Sequence, residues 1–301
     1  MKRLIGKICL LASFSILIAV IVIYGPHFMD YKKAGDLYDE IREKNTSRID
    51  PELPFETDQT ETADEPLSEN EQAYEGTEEI SEKEKELKRL RNVLKLADPD
   101  LDIEQYLPIE VDGEALLKEN PDYAGWIYIP GTVVSYPVVQ SHDNSDYLHT
   151  NFQKGYNYSG TIFIDSNCKG GMFDRHVIIY GHNMNDGSMF SIIKSYIDET
   201  FAKEHPYIWF ITPEKTLLYR IFSAYESTPS DKVTYSYDGK DFHSDDEWGA
   251  ITAQIKNRSV FSNGQEVTEK DQVITLSTCS PSRVTRIVPS AVLYCEFENA
   301  F

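Results

Sequence analysis

A chain of 301 residues, 41% of them apolar, has room for a sizeable core in one large domain or two small ones. Its formal net charge of −21, with no basic cluster beyond the N-terminus set among exposed aromatics, excludes nucleic acid as a partner. The charge is uneven: residues 36–90 hold 19 Asp or Glu against 7 Lys or Arg, more than half of the whole excess.

Taken in chain order, Lys2, Arg3 and Lys7 precede Ile8 to Tyr24, an uncharged run of 17 residues at the short end of what crosses a bilayer. The run is longer than the core of a cleaved signal peptide, the competing reading, and no small-x-small cleavage site follows it. Residues 1–29 are therefore expected to be a single-pass anchor in membrane lipid, with a cytoplasmic N-terminus and the remainder extracellular, although Lys32 and Lys33 blur the charge contrast. Residues 30–80 are rich in acids, Ser, Thr, Asn and Pro, too poor in large apolar residues to fold alone, and read as an extended acidic stalk. Within it, Tyr31 to Lys44 has the makings of a helix leaving the membrane. Ser81-Glu82-Lys83-Glu84 is a capping box, and Leu87, Leu90 and Leu94 follow at helical spacing, which predicts an amphipathic helix within 81–100, packed on the domain that follows.

Residues 101–301 read as the folded domain. After a short helix near Glu114 to Glu119, stopped by Asn120-Pro121, apolar β-type runs recur between turn residues. They are Gly125 to Ile129, Val133 to Gln140, Gly160 to Ile164, His176 to Tyr180, Tyr207 to Thr212, Leu217 to Tyr225, Val273 to Thr278 and Arg286 to Glu296. Eight such runs predict a mainly β domain, a closed barrel or a sandwich. Short helices are expected at Met189 to Tyr196 and after a second capping box, Ser244 to Glu247, where Trp248, Ile251, Thr252 and Ile255 share a face.

Cys9 lies in the membrane run, leaving Cys168, Cys279 and Cys295, which cannot all pair and fit no zinc spacing. A Cys168–Cys295 disulfide competes with Cys295 as a buried residue of the last strand. No metal site or cofactor is expected: Asp165, Asp174 and Asp186 read as solvated acids near turns. Cys279 stands at the end of the alternating run VITLSTC, held by a strand yet reachable, which suits a nucleophile. A thiol with an ordinary pKa of about 8.5 is mostly un-ionised at neutral pH, so a cation beside it helps. His182, just past the run VIIYG, fits that role and that of proton donor to a leaving amine. An oxyanion needs a fixed donor, and Arg283 and Arg286 both follow Cys279; Arg286 starts a strand and is favoured over Arg283 on the connecting loop.

These residues resemble a known family. TLSTC ending at Cys279, YGHNM around His182 and RIV from Arg286 are similar to the three signatures of sortases, membrane-anchored cysteine transpeptidases of Gram-positive bacteria. GWIYIPGTVVSYPVVQ (125–140), DNSDYL (143–148) and GTIFID (160–165) resemble class B members in order and spacing. The resemblance covers residues 101–296 and implies an eight-stranded β-barrel without a cofactor. It also implies cleavage after Thr in the C-terminal sorting signal of a surface protein, through a thioester on the cysteine. The acyl group then passes to an amine, in a peptidoglycan cross-bridge or a pilin lysine. By matching position, Asn144 and Leu148 would line the substrate groove, with Ser277 and Thr278 beside the nucleophile; for Leu148 core packing, and for the other two ordinary strand positions, are the plainer readings. Two other classes stay open: a cysteine peptidase that only hydrolyses, and a catalytically silent binding module on a stalk.

Overall fold

The computed structural model describes residues 32–49, 82–99, 101–279 and 284–298. The expected membrane segment, residues 50–81 and Arg283 lie outside the described residues, among which no helix is long and apolar enough to cross a membrane.

The first described elements are helix α1 (residues 32–45) and strand β1 (Thr46–Arg48), then helix α2 (Glu82–Ala97), strand β2 (Ile109–Val111) and helix α3 (Gly113–Glu119). Residues 32–49, which composition assigns to the stalk, are instead part of the folded domain. Ala34, Tyr38, Ile41 and Asn45 recur at helical spacing and are all buried, and β1 pairs antiparallel with β2, Thr46 opposite Val111. The stalk composition is real, but a sparse apolar stripe is enough to dock a helix when a finished domain supplies the other surface. In α2, Leu87, Leu90 and Leu94 are at most 1% exposed in the main core, and Arg89 lies over the Phe297 ring. Each such leucine contributes roughly 1.5–3 kcal/mol of burial.

The eight expected β runs are the eight strands of a closed barrel: β3 (Tyr123–Tyr128), β4 (Ser135–Val139), β5 (Ile162–Ile164), β6 (His176–His182), β7 (Tyr207–Ile211), β8 (Lys215–Ser227), β9 (Val273–Cys279) and β10 (Arg286–Glu298). Around the barrel the order is β3-β4-β5-β6-β9-β10-β8-β7. The β4–β5 and β6–β9 pairs are parallel and the other neighbours antiparallel. Trp126, Ile178, Leu218 and Leu276 are among the side chains fully buried in the principal core.

The connections carry a 3-10 segment at Ser191–Ile197, helix α4 (Glu199–Glu204), which has no clear sequence signal, and helix α5 (Asp245–Asn257). The Ser244 hydroxyl accepts from the Glu247 N–H, and the Glu247 carboxylate reaches back to accept from the N–H of His243 at 2.7 Å, one residue before the cap. Trp248 and Ile255 of α5 pack against Phe222, Tyr225, Val273, Val288 and Val292, covering one side of β8, β9 and β10. With both faces covered, β9 is buried from Val273 to Thr278 in spite of its alternating pattern.

Candidate active site at one end of the β6, β9 and β10 strands

Strand β9 lies between β6 and β10, and their registers decide what meets at its end. The parallel β6–β9 ladder starts with His176 opposite Val273 and finishes with His182 opposite Cys279, so the last two backbones lie about one strand spacing, roughly 4.8 Å, apart. On the other side, Ser290 of β10 pairs with Thr275. The ladder runs from Val292 opposite Val273 to Ser290 opposite Thr275, and Arg286 lies four residues beyond it, where β10 begins toward the Cys279 end of β9. His182 and Cys279, far apart in sequence, thus meet at the end of one ladder, and β10 begins with Arg286 at the same end of the barrel. Gly181 lets Ile162 and Phe190 pack against the strand just before His182, since a Cβ there would lie 2.4 Å from Ile162 Cδ1 and 2.7 Å from the Phe190 ring.

His182 is half-buried, and its Nε2 lies 2.7 Å from the Leu148 carbonyl oxygen. A carbonyl only accepts, so the neutral ring carries its proton on Nε2 and its lone pair on Nδ1. The His149 ring stacks on it, with centroids 5.7 Å apart and planes 17° from parallel. Behind the ring, the His182 carbonyl accepts from the Phe190 N–H, and the Met189 N–H donates to the Tyr136 hydroxyl at 3.0 Å. Arg286 is half-buried opposite Ser227 of β8, and its buried Nε has no hydrogen-bond partner among the described residues. A buried N–H without an acceptor costs about 1–3 kcal/mol, so this nitrogen is a donor open to an acceptor that the described residues do not supply.

Residues 127–294 match the profile of the sortase domain. The chain belongs to the sortase family. It is 34% identical over 166 residues to Sortase B of Staphylococcus aureus (strain NCTC 8325 / PS 47), covering 55% of this chain and 66% of that protein. To Sortase B of Listeria monocytogenes serovar 1/2a (strain ATCC BAA-679 / EGD-e) it is 35% identical over 168 residues, covering 56% of this chain and 67% of the relative. The match thus spans about two thirds of the length of these relatives. Among solved structures, the Staphylococcus aureus sortase B–substrate complex superposes with a TM-score of 0.55 at 28% identity, covering 71% of this chain and 94% of that one. All three are sortase B proteins.

Of the other three cysteines, Cys168 and Cys295 lie among the described residues, and burial disfavours the thiolate of both. Cys168 and Cys295 are both free, so no disulfide joins them. Cys168 is 1% exposed, and burial pushes its thiol up to about 12. Cys295 is half-buried beside Arg89 rather than in the core, and burial raises its thiol too.

Of the residues expected around the groove, Leu148 supplies the carbonyl bound by His182 and packs partly on the core. Asn144 is half-buried and its Oδ1 accepts from the Ser166 N–H at 2.7 Å. Thr278 is 6% exposed. Ser277 is fully buried, with its hydroxyl 2.9 Å from that of Tyr235, so it presents no surface to a substrate. Asp165, expected to be a solvated acid, is 1% exposed. Tyr180 and Tyr237 donate to its Oδ2 at 3.0 and 2.8 Å, and the Asn167 N–H to its Oδ1 at 2.8 Å. Burial pushes this carboxyl up, but donors from Asn144, Asn167 and Tyr237 outweigh it and hold the group below the usual range. The sequence shows no trace of this hub, because its donors come from separate segments. For His149, stacked on His182, the sequence offers no signal beyond its adjacency to Leu148.

His142, Asp143 and Asp146 bring ligand atoms within 4.8 Å of one another, but on the surface, with Asp143 already accepting two backbone N–H groups. A surface depression of about 460 Å³ between β1, β2 and α2 holds none of the candidate residues.

Proposed function

We propose that this sortase is a cysteine transpeptidase that cleaves a C-terminal sorting signal after Thr and passes the acyl group to an amine. The Cys279 thiolate attacks the Thr carbonyl, and Arg286 donates to the oxyanion that forms. Collapse of the tetrahedral adduct breaks the C–N bond as His182 protonates the leaving amine, and a thioester on Cys279 remains. His182 then takes a proton from the acceptor amine, which attacks the thioester and releases the thiolate. The acceptor is a peptidoglycan cross-bridge or a pilin lysine. The observation that supports this reading is the pairing of His182 with Cys279 at the end of the β6–β9 ladder, with Arg286 at the start of the neighbouring strand β10. It is strengthened by a guanidinium nitrogen that lacks an acceptor among the described residues. The likeness to a sortase B seen in complex with a substrate points to the same class of reaction. Asn144, Leu148 and Thr278 would border the bound peptide.

The uncharged run Ile8 to Tyr24 would tether the enzyme in the cell membrane with the catalytic domain outside, where sorting-signal proteins and amine acceptors meet. Incubating the protein with sorting-signal peptides, with and without triglycine, tests the reading by product analysis. Ligated peptide that appears only with triglycine is the expected result. Hydrolysis that triglycine leaves unchanged would make the protein a peptidase, and no cleavage of any peptide would reject the reaction class.

A further inference from the structure

The Leu148 carbonyl that receives the His182 Nε2 proton belongs to a turn fixed from both sides. The Tyr147 carbonyl accepts from the Thr161 N–H at 3.0 Å, and the His149 carbonyl from the Asn157 N–H at 2.9 Å. The returning limb presses close: Gly160 has φ +58°, and a Cβ on it would lie 2.3 Å from the Tyr147 oxygen and 2.5 Å from the Leu148 oxygen. Only glycine fits between this limb and the carbonyl that holds the histidine.

The limb is in turn held by a residue from far upstream. Tyr38, on α1, is 3% exposed; its hydroxyl donates to the Gly160 carbonyl at 2.5 Å and lies 3.0 Å from Thr161 Oγ1. The phenol has one proton, so Thr161 supplies its own either to Tyr38 or to the Thr150 carbonyl, 2.8 Å away. Burial raises the Tyr38 pKa, which keeps the phenol a donor. The Tyr38 ring also meets Tyr136 edge-on, with centroids 5.6 Å apart, and Tyr136 is the residue that takes the Met189 N–H in the loop after His182. Tyr38 therefore braces His182 along two routes, through Gly160 to Leu148 and through Tyr136 to the 183–190 loop.

We propose that Tyr38 is a positioning residue for His182, and that α1 is thereby part of the catalytic apparatus and not a passive link. The proposal rests on the role given to His182 above. A site residue oriented by a packed supporting shell loses rate when that shell loosens, even where its own chemistry is intact.

The test uses the full chain and a probe that needs no substrate: the rate of Cys279 alkylation by iodoacetamide across pH, read by peptide mass mapping, with melting temperature recorded alongside. Wild type, His182→Ala, Tyr38→Phe and Thr161→Val are compared. The expected result is that His182→Ala changes the pH profile, and that Tyr38→Phe and Thr161→Val, both folded at the assay temperature, move it in the same direction. With a cleavable peptide, Tyr38→Phe should lower kcat about tenfold and change KM little. A Tyr38→Phe profile identical to wild type, beside an altered His182→Ala profile, would show Tyr38 to be merely structural and overturn the proposal. An unaltered His182→Ala profile would remove the role of His182 itself, a distinct failure that takes the proposal with it.

Discussion

Two histidines on one strand, six residues apart, show how position in a ladder decides chemistry. His176 begins β6 and is 0% exposed. Its Nδ1 lies 2.9 Å from the Ser236 carbonyl and so carries the proton, while Nε2 accepts from the Thr275 hydroxyl at 2.8 Å. Thr275 in turn lies 2.9 Å from the Ser290 hydroxyl, so this imidazole stitches together β6, β9 and β10. Burial pushes its pKa down to about 4, and it stays neutral. His182 ends the same strand, half-buried, with one ring nitrogen fixed by a carbonyl and its backbone beside that of Cys279. The same side chain on the same strand is a structural strut where both faces are covered, and a candidate acid and base where the barrel ends.

Exchanging each histidine for alanine is the sharpest way to break that comparison. His182→Ala should lower kcat by about 10²–10⁴, the usual range for a general acid and base, with little change in melting temperature. His176→Ala should do the reverse, costing about 3 kcal/mol of stability by opening a cavity and orphaning two hydrogen-bond partners, while folded enzyme keeps its kcat. Equal effects of the two variants on rate would erase the distinction. Arg286→Lys keeps the charge but not the fork of donors, and kcat should fall about 10²-fold in steady-state assays with KM little changed.

The same comparison was only partly legible in the residues. Eight apolar runs bounded by turn residues mark the barrel strands, because strand length and punctuation are local properties, and Cys279, His182 and Arg286 stand out since each sits at a strand end. Burial of both faces of β9 was not legible, so Ser277, expected beside the nucleophile, is buried with its hydroxyl against that of Tyr235, closer to the ordinary strand position that was its plainer reading. Asp165 reads as solvated for the same reason: its donors Tyr180 and Tyr237 are 15 and 72 residues away. Helix α1 is legible as a helix over Tyr31 to Lys44, but its buried face of Ala34, Tyr38 and Ile41 disappears into an acidic average, so its docking on the domain is not.

Smaller effects sharpen the contrast further. The His176 ring takes a proton only below about pH 4 in the folded chain, against 6.5 when unfolded, so the unfolded state binds the extra proton between those values. Its stabilising contribution is therefore complete above about pH 6.5, falls by about 3 kcal/mol as pH drops to 4, and changes no further below that. Urea denaturation across this window should show the loss in wild type and not in His176→Gln. Ser244→Ala, which removes the cap of α5 on the covered side of the barrel, should cost about 1 kcal/mol in the same assay and leave turnover unchanged.

The account depends most directly on a covalent bond at Cys279. Intact mass spectrometry of the protein mixed with a sorting-signal peptide, followed by peptide mapping, should find an acyl adduct on Cys279 that hydroxylamine or triglycine removes and that Cys279→Ala never forms. An adduct carried by Cys168 or Cys295 instead, or cleavage that persists in Cys279→Ala, would contradict it.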